Sequence, residues 1–368
     1  MLIGLASGLT ESEGFQISTV VARSRREIFL ANLSSSNDDA MDCLCCDGGA
    51  GPSTNQEFLG SLCSIKKADG TPAKFPVEPN RYVLYVIAGC PFAARPWAIQ
   101  AIYGLPIKVV KLFPASYDQG WFFSPTSEGE KELVANFPAA VVDADPLHKS
   151  DHLKQLYLKA NPSFEGAVSV PLLWDSVKDT AVSNSSLGLA KMLHQQMKPM
   201  ATRNKDLELF PADEKLGKEH DELVSFIHST ITTSVYKMNS TKNGKTHDEL
   251  VDEYYANLRD LETRIQQTGG PYLMGDCLRF ADVLLWISLL RLDLAYQWRF
   301  GLGKYNVRED FPGLQQFVEQ IMTVEGIKET IFPRDIMALY FMTLKWTQNG
   351  AGRSLPQVPH SWESKLKL

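Results

Sequence analysis

Apolar residues change their period along this chain, and the change divides it. Residues 82–88 form a β-branched and aromatic run of strand length that ends at Gly89. Pro91 and the alanine-rich stretch up to Tyr103 then predict a helix, because proline is tolerated in a first turn where its missing N–H has no partner. Pro96 lies deeper and is expected to bend that helix or to free one carbonyl. The pattern predicts further strands over 107–112, 168–174 and 180–182. It predicts helices over 151–160 and 185–195, the latter capped by Ser185 or Asn184. Residues 113–150, with Pro114, Gly120, Pro125, Pro138 and Pro146, read as a long loop. From about residue 212 the period becomes helical. Thr246 and Glu249 form a capping box ahead of Leu250, Tyr254, Leu258, Leu261 and Ile265, which share one face. Residues 280–297 are apolar nearly all round and predict a central buried helix, and 311–322 predict another. Residues 1–76 lack periodicity and are rich in Ser, Gly, Asp and Asn. They read as an irregular extension with one short helix over 24–32.

The order strand, helix, strand, helix, strand, strand, helix is a thioredoxin-like pattern. Pro171 enters a strand, which ordinarily argues against a central position. In this fold a cis proline beside an active cysteine makes sense, because the freed backbone can pair with a peptide-like ligand. A trans proline on an edge strand is the alternative. The expected class is therefore α/β plus all-α. The expected division is an extension over 1–76, a thioredoxin-like domain over 77–198, an all-helical domain over 208–348, and an irregular tail over 349–368.

Composition narrows the function. Apolar residues make up 44% of the chain, enough for a sizeable core. The net charge of −6 comes from interspersed signs, so no basic stripe points to nucleic acid or an anionic membrane. No apolar run approaches a membrane span. A cytoplasmic location is expected. Arg23, Arg25 and Arg26 with the serines at 34–36 resemble parts of an organellar transit peptide, while Glu11, Glu13 and Glu27 argue against one. The cluster Cys43, Cys45 and Cys46 has no Cys/His partner set at zinc spacing, so no metal is expected. Free thiols in a reducing compartment fit the cysteine usage better. Gly244-Lys245-Thr246 suggests a phosphate loop, but Asn239 stands where its first glycine belongs.

Cys90 is the candidate for chemistry. It stands between the first strand and the first helix, where unpaired N–H groups and the positive end of the helix dipole converge. That place favours the thiolate, which is the nucleophile, and predicts a depressed pKa. A lone cysteine is more often a small buried hydrophobe. The sequence Cys90-Pro-Phe-Ala lacks the second cysteine of a dithiol motif, so one-cysteine chemistry is preferred over a dithiol oxidoreductase.

Several segments in order resemble the glutathionyl-hydroquinone reductases, the xi class of the glutathione transferases. They are Cys90-Pro-Phe-Ala-Ala-Arg95, Asp118-Gln-Gly-Trp121, Tyr157-Leu-Lys-Ala-Asn-Pro, Val168-Ser-Val-Pro171-Leu-Leu-Trp174-Asp175, Val235-Tyr236-Lys237, Tyr272-Leu-Met-Gly-Asp276 and Arg291-Leu-Asp-Leu-Ala-Tyr296. The resemblance spans roughly 80–345. It implies that Cys90 attacks the sulfur of a glutathionyl group on a hydroquinone ring, leaving a mixed disulfide that a second glutathione resolves. It implies glutathione as co-substrate, a small quinone-type conjugate as partner, and a homodimer. By the same resemblance Trp121 lies along glutathione and the Val170 backbone, before Pro171, pairs with the cysteinyl moiety. Ser186 binds the γ-glutamyl carboxylate, and Tyr236 and Tyr296 face the ring.

The departures are specific. Phe92 replaces a tryptophan, Ala94 a histidine, and Pro96 follows Arg95. Ser185 stands where the family has an acid for the γ-glutamyl ammonium. Losing a charge-assisted bond costs about 1.5–3 kcal/mol, which predicts glutathione affinity weakened roughly ten- to a hundredfold. The usual Ser/Thr of a capping box is Arg279, with Asp282 retained. Two other functions compete: an omega-like thiol transferase or dehydroascorbate reductase, and a non-catalytic binding protein on the same fold. The Ser185 departure favours the last. Cys90, Trp121, Pro171 and Tyr236 together favour an enzyme.

Overall fold

The structure is a computed structural model that describes residues 58, 60, 62–63, 74–116, 119–138, 140–238 and 244–342. The expected helix over 24–32, the cysteines at 43–46, Asp118 and the tail over 349–368 lie outside those residues. Two short strands, β1 (Leu62–Cys63) and β2 (Phe75–Pro76), pair in parallel. The stretch before residue 77 is therefore not wholly irregular. Gly60 N donates to Val182 O at 2.7 Å and Phe58 N to the Asn184 side chain at 3.0 Å, which ties this segment to the sheet edge.

The main sheet holds β3 (Tyr82–Val86), β4 (Lys108–Lys111), β5 (Leu172–Asp175) and β6 (Thr180–Ser183) in the order β4-β3-β5-β6. β3 and β4 are parallel, and β5 runs antiparallel to both β3 and β6. Every residue of β3 and β5 is buried, as their unbroken apolar runs require. Arg81 clamps the sheet by a two-pronged ion pair to Asp175, Nε to Oδ1 at 2.9 Å and Nη2 to Oδ2 at 2.6 Å.

Helix α1 (Pro91–Tyr103) crosses from β3 to β4 and ends at Gly104, whose φ of 58° is left-handed. The expected loop over 113–150 contains α2 (Glu128–Asn136). A local capping box specifies it: Ser127 accepts from Glu130 N, and the Glu130 carboxylate accepts from Ser127 N. Prolines on both sides masked a short helix with a weak apolar face. Its Glu130 carboxylate is buried against His152 Nε2 at 2.8 Å. Next come α3 (Leu153–Ala160) and α4 (Ser186–Met192), the latter passing into a π-helical turn over Leu193–Met197.

The second half is helical: α5 (Glu214–Ile227) with a π turn over His228–Thr232, α6 (Ser234–Lys237), α7 (His247–Thr268), α8 (Phe280–Arg291), α9 (Pro312–Ile321) and α10 (Pro333–Met342). All twelve residues of α8 are buried, as a helix apolar all round must be. Its run does not stay α-helical to 297, because Leu292–Tyr296 widens into a π turn. At its start Arg279 contributes no side-chain cap. Asp282 instead accepts from Arg279 N at 2.7 Å and Leu273 N at 2.8 Å.

Candidate functional site

The site begins where β3 leaves the sheet. Cys90 N donates to Ile87 O at 2.9 Å, and Ala94 N to Cys90 O at 3.0 Å, so Cys90 is the N-cap of α1 with Pro91 at N1. Gly89 is required there. A Cβ on it would stand 2.6 Å from Asp335 O and 2.8 Å from Leu339 Cβ, because α10 passes directly over the turn. The Val170–Pro171 peptide is cis, and Cys90 Sγ lies 4.0 Å from Val170 O.

The depressed thiol pKa expected for Cys90 is corrected by its burial. The side chain is 0% exposed, and loss of water pushes the thiol up. N–H groups of Ala93 and Phe92, then Arg291 and Arg95, pull in the opposite direction without prevailing. The sequence located the dipole but not the depth.

Pro96 does not break α1. With no N–H to offer, it leaves the Phe92 carbonyl without an intrahelical donor, and the Ser186 hydroxyl supplies one at 2.7 Å. Arg95 Nη1 donates to the same hydroxyl at 3.3 Å. Ser185, not Asn184, caps α4, and its hydroxyl accepts from Gly188 N at 3.3 Å. Ser186, which the resemblance assigns to glutathione, and Ser185, which stands where the family has an acid, thus both have their hydroxyls engaged at helix starts.

Tyr236 and Tyr296 do converge, and a third tyrosine joins them. Tyr236 and Tyr340 hydroxyls are 3.0 Å apart, and Tyr296 and Tyr340 hydroxyls 3.2 Å. The Tyr236 ring lies 6.2 Å from Phe92 and 5.4 Å from Phe300. Burial raises all three phenols, so they stay neutral and each keeps one O–H to donate. Sequence reasoning missed Tyr340, which sits on α10 in a segment with no motif. Trp121 is 2% exposed, and its carbonyl accepts from Leu153 N at 2.9 Å. Its indole takes part in none of the ring contacts that join the tyrosines. A cleft of about 610 Å³ lies elsewhere, lined by His194, Phe210 and His220 among others, and Cys90 is not on its wall. Among the described residues no group of His, Cys, Asp or Glu is arranged to hold a metal.

A mixed four-stranded sheet with a cysteine at its first helix, followed by a helical half, defines a glutathione transferase. The family described as glutathione S-transferase, C-terminal domain, matches residues 226–331. Glutathionyl-hydroquinone reductase YqjG of Escherichia coli is 32% identical over 80% of this chain and 87% of its own length. Glutathionyl-hydroquinone reductase PcpF of Sphingobium chlorophenolicum is 28% identical, covering 74% and 81%. The xi glutathione transferase of Phanerochaete chrysosporium superposes with a TM-score of 0.71 at 26% identity, covering 84% of this chain and 97% of that one. Glutathione-bound YqjG does so with a TM-score of 0.69 at 29% identity, covering 82% and 93%. The chain belongs to the glutathionyl-hydroquinone reductase family, the xi class of glutathione transferases.

Proposed function

We propose that this protein is a glutathione-dependent reductase that removes glutathione from glutathionyl-hydroquinones or related conjugates, with Cys90 as its catalytic thiol. The observation that carries the reading is that Cys90, at the N-cap of α1, lies by Val170-Pro171 and interacts with Tyr236 and Tyr296 from the helical half, which meet at Tyr340. In the first step the Cys90 thiolate attacks the glutathionyl sulfur. An S–S bond forms as the ring C–S bond breaks, and the electron pair passes to the ring carbon, which takes up a proton. In the second, a glutathione thiolate attacks the mixed disulfide, releasing oxidised glutathione and the Cys90 thiolate. A phenol of the Tyr236–Tyr340–Tyr296 chain donates a hydrogen bond to the ring oxygen and stabilises the charge that develops as the ring carbon accepts the electron pair.

Residues 77–198, with Trp121, Val170, Pro171, Ser185 and Ser186, hold glutathione in this reading, and residues 208–348 hold the ring. Since both serine hydroxyls are engaged, the backbone N–H groups at the start of α4 carry the γ-glutamyl carboxylate. A homodimer in the reducing cytoplasm completes the proposal, where reduced glutathione is available for the second step. Among the described residues no helix is long and apolar enough to cross a membrane.

Mass spectrometry after incubation with a glutathionyl-hydroquinone tests it. One glutathione adduct on Cys90 and release of free hydroquinone are expected. Full burial of Cys90 favours a second reading, a non-catalytic binding protein, and hydroquinone left unconverted with no adduct would select it.

A further inference from the structure

Two buried guanidinium groups stand beside Cys90, and among the described residues neither pairs with a carboxylate. Arg95 is 1% exposed and Arg291 2%. Arg291, from the end of α8, donates its Nε to the carbonyl of Gly89 at 2.9 Å and Nη1 to Ile287 O at 2.9 Å. Arg95, one turn into α1, donates to Ser186 Oγ and lies 3.0 Å from His228 Nδ1, with the Phe92 ring 4.7 Å from its centre. Its Nε has no hydrogen-bond partner. A charge taken out of water is costly unless an anion or a full set of hydrogen bonds replaces the solvent.

The groups facing this pair leave few sources of negative charge. Tyr236, Tyr296 and Tyr340 are held neutral by burial. His228 is neutral too, pushed down to about 3 by burial and by Arg95, and accepts a hydrogen bond at Nδ1. Asp335 brings its backbone oxygen close to Gly89, while its carboxylate accepts from Val141 N at 3.3 Å and pairs with neither arginine. Cys90 interacts electrostatically with both arginines.

We propose that Arg95 and Arg291 are the counter-charges of the Cys90 thiolate, and that one surplus positive charge remains to select an anionic ligand group beside the sulfur. This rests on the reading of Cys90 as the reactive thiol. Arg291 comes from the helical half and grips the residue before Cys90, so thiol reactivity depends on how the two halves pack. Both arginines are positioning residues here.

Two alkylating agents of similar size test it, neutral iodoacetamide and anionic iodoacetate. In each reaction the thiolate forms an S–C bond as the C–I bond breaks and iodide leaves. Both reagents draw on the same thiolate, so the ratio of their rates reads the charge around it and not the thiolate fraction. The full-length protein is used, and the Cys90 peptide is followed by mass spectrometry, which separates it from exposed Cys277. The iodoacetate-to-iodoacetamide ratio is expected to fall about tenfold in Arg95→Met and in Arg291→Met, as removal of one near charge predicts. Arg95→Lys and Arg291→Lys, which keep the charge, should hold the ratio near that of the unmodified protein. Loss of the ratio in the Lys variants as well, an unchanged ratio in both Met variants, or a Cys90 inert to both reagents would overturn the proposal. Absence of a glutathione adduct with the ratios as expected would instead sink the reductase reading and leave the charge assignment standing.

Discussion

The Ser186 hydroxyl donates to the Phe92 carbonyl at 2.7 Å, across the contact between α4 and α1. That carbonyl is open because Pro96, four residues on, has no N–H. A helix breaker and a residue of the proposed glutathione site are thus one structural unit. Ser186→Ala should destabilise the protein by about 1–3 kcal/mol, the cost of an unsatisfied acceptor. In a Pro96→Ala background the restored N–H takes the carbonyl, and the cost of Ser186→Ala should drop by about 1 kcal/mol. Urea denaturation of the four proteins measures this. Equal costs in both backgrounds would show that the proline and the serine are not coupled.

The three phenols should act on the ring and not on glutathione. Tyr236→Phe, Tyr296→Phe and Tyr340→Phe are each expected to slow hydroquinone release about ten- to a hundredfold. They should leave regeneration of Cys90 by glutathione nearly unchanged. Tyr340 bonds both of the others, so its variant should be the slowest. Rapid-mixing kinetics separates the steps. Variants that slow only regeneration, or neither step, would make the tyrosines packing residues.

In the proposed glutathione site, Ser185 stands where an acid would meet the γ-glutamyl ammonium. Ser185→Glu is expected to tighten glutathione roughly tenfold, the lower end of what a charge-assisted bond supplies. Because Ser185 caps α4, the same change should also cost up to about 1 kcal/mol of stability. Calorimetry on both proteins decides the first point, and unchanged affinity would mean that another group meets the ammonium.

His194 is 5% exposed, its Nδ1 lies 2.9 Å from the Tyr103 hydroxyl, and burial pushes its pKa down to about 4. The unfolded chain binds this proton near pH 6.5 and the folded chain does not. Stability should therefore be full above pH 6.5 and fall as pH drops towards 4, at up to about 1.4 kcal/mol per pH unit for this group. His194→Phe should flatten that slope in denaturation curves taken between pH 4 and 7. An unchanged slope would assign acid sensitivity to other groups.

The sequence alone determined the elements whose signals are local. The apolar run before Gly89, the proline at the start of α1, the Thr246–Glu249 box of α7 and the start of the nearly all-apolar α8 each carry their cause within a few residues, and each begins at its expected place. The motif order carried the family, and it named Cys90, Pro171, Tyr236 and Tyr296 as the candidates on which the proposed function rests. Tertiary structure decided what depends on neighbours distant in sequence. The helix dipole at Cys90 is readable from strand and proline, but the depth of the thiol depends on what packs around the turn, where α10, more than two hundred residues away, passes over Gly89. Tyr340 enters the site from that helix, and no periodicity announces it. The sequence offered Ser185 or Asn184 as the helix cap and the fold selects Ser185, while the Ser186 hydroxyl, expected to meet a ligand, is engaged as a proline's missing donor. Arg95 and Arg291 stand in two of the resembling segments, but their burial without a carboxylate partner among the described residues appears only in the fold. Local pattern fixes φ and ψ over a turn or two, whereas desolvation and charge balance are sums over everything packed around an atom, and those sums exist only once the chain has folded.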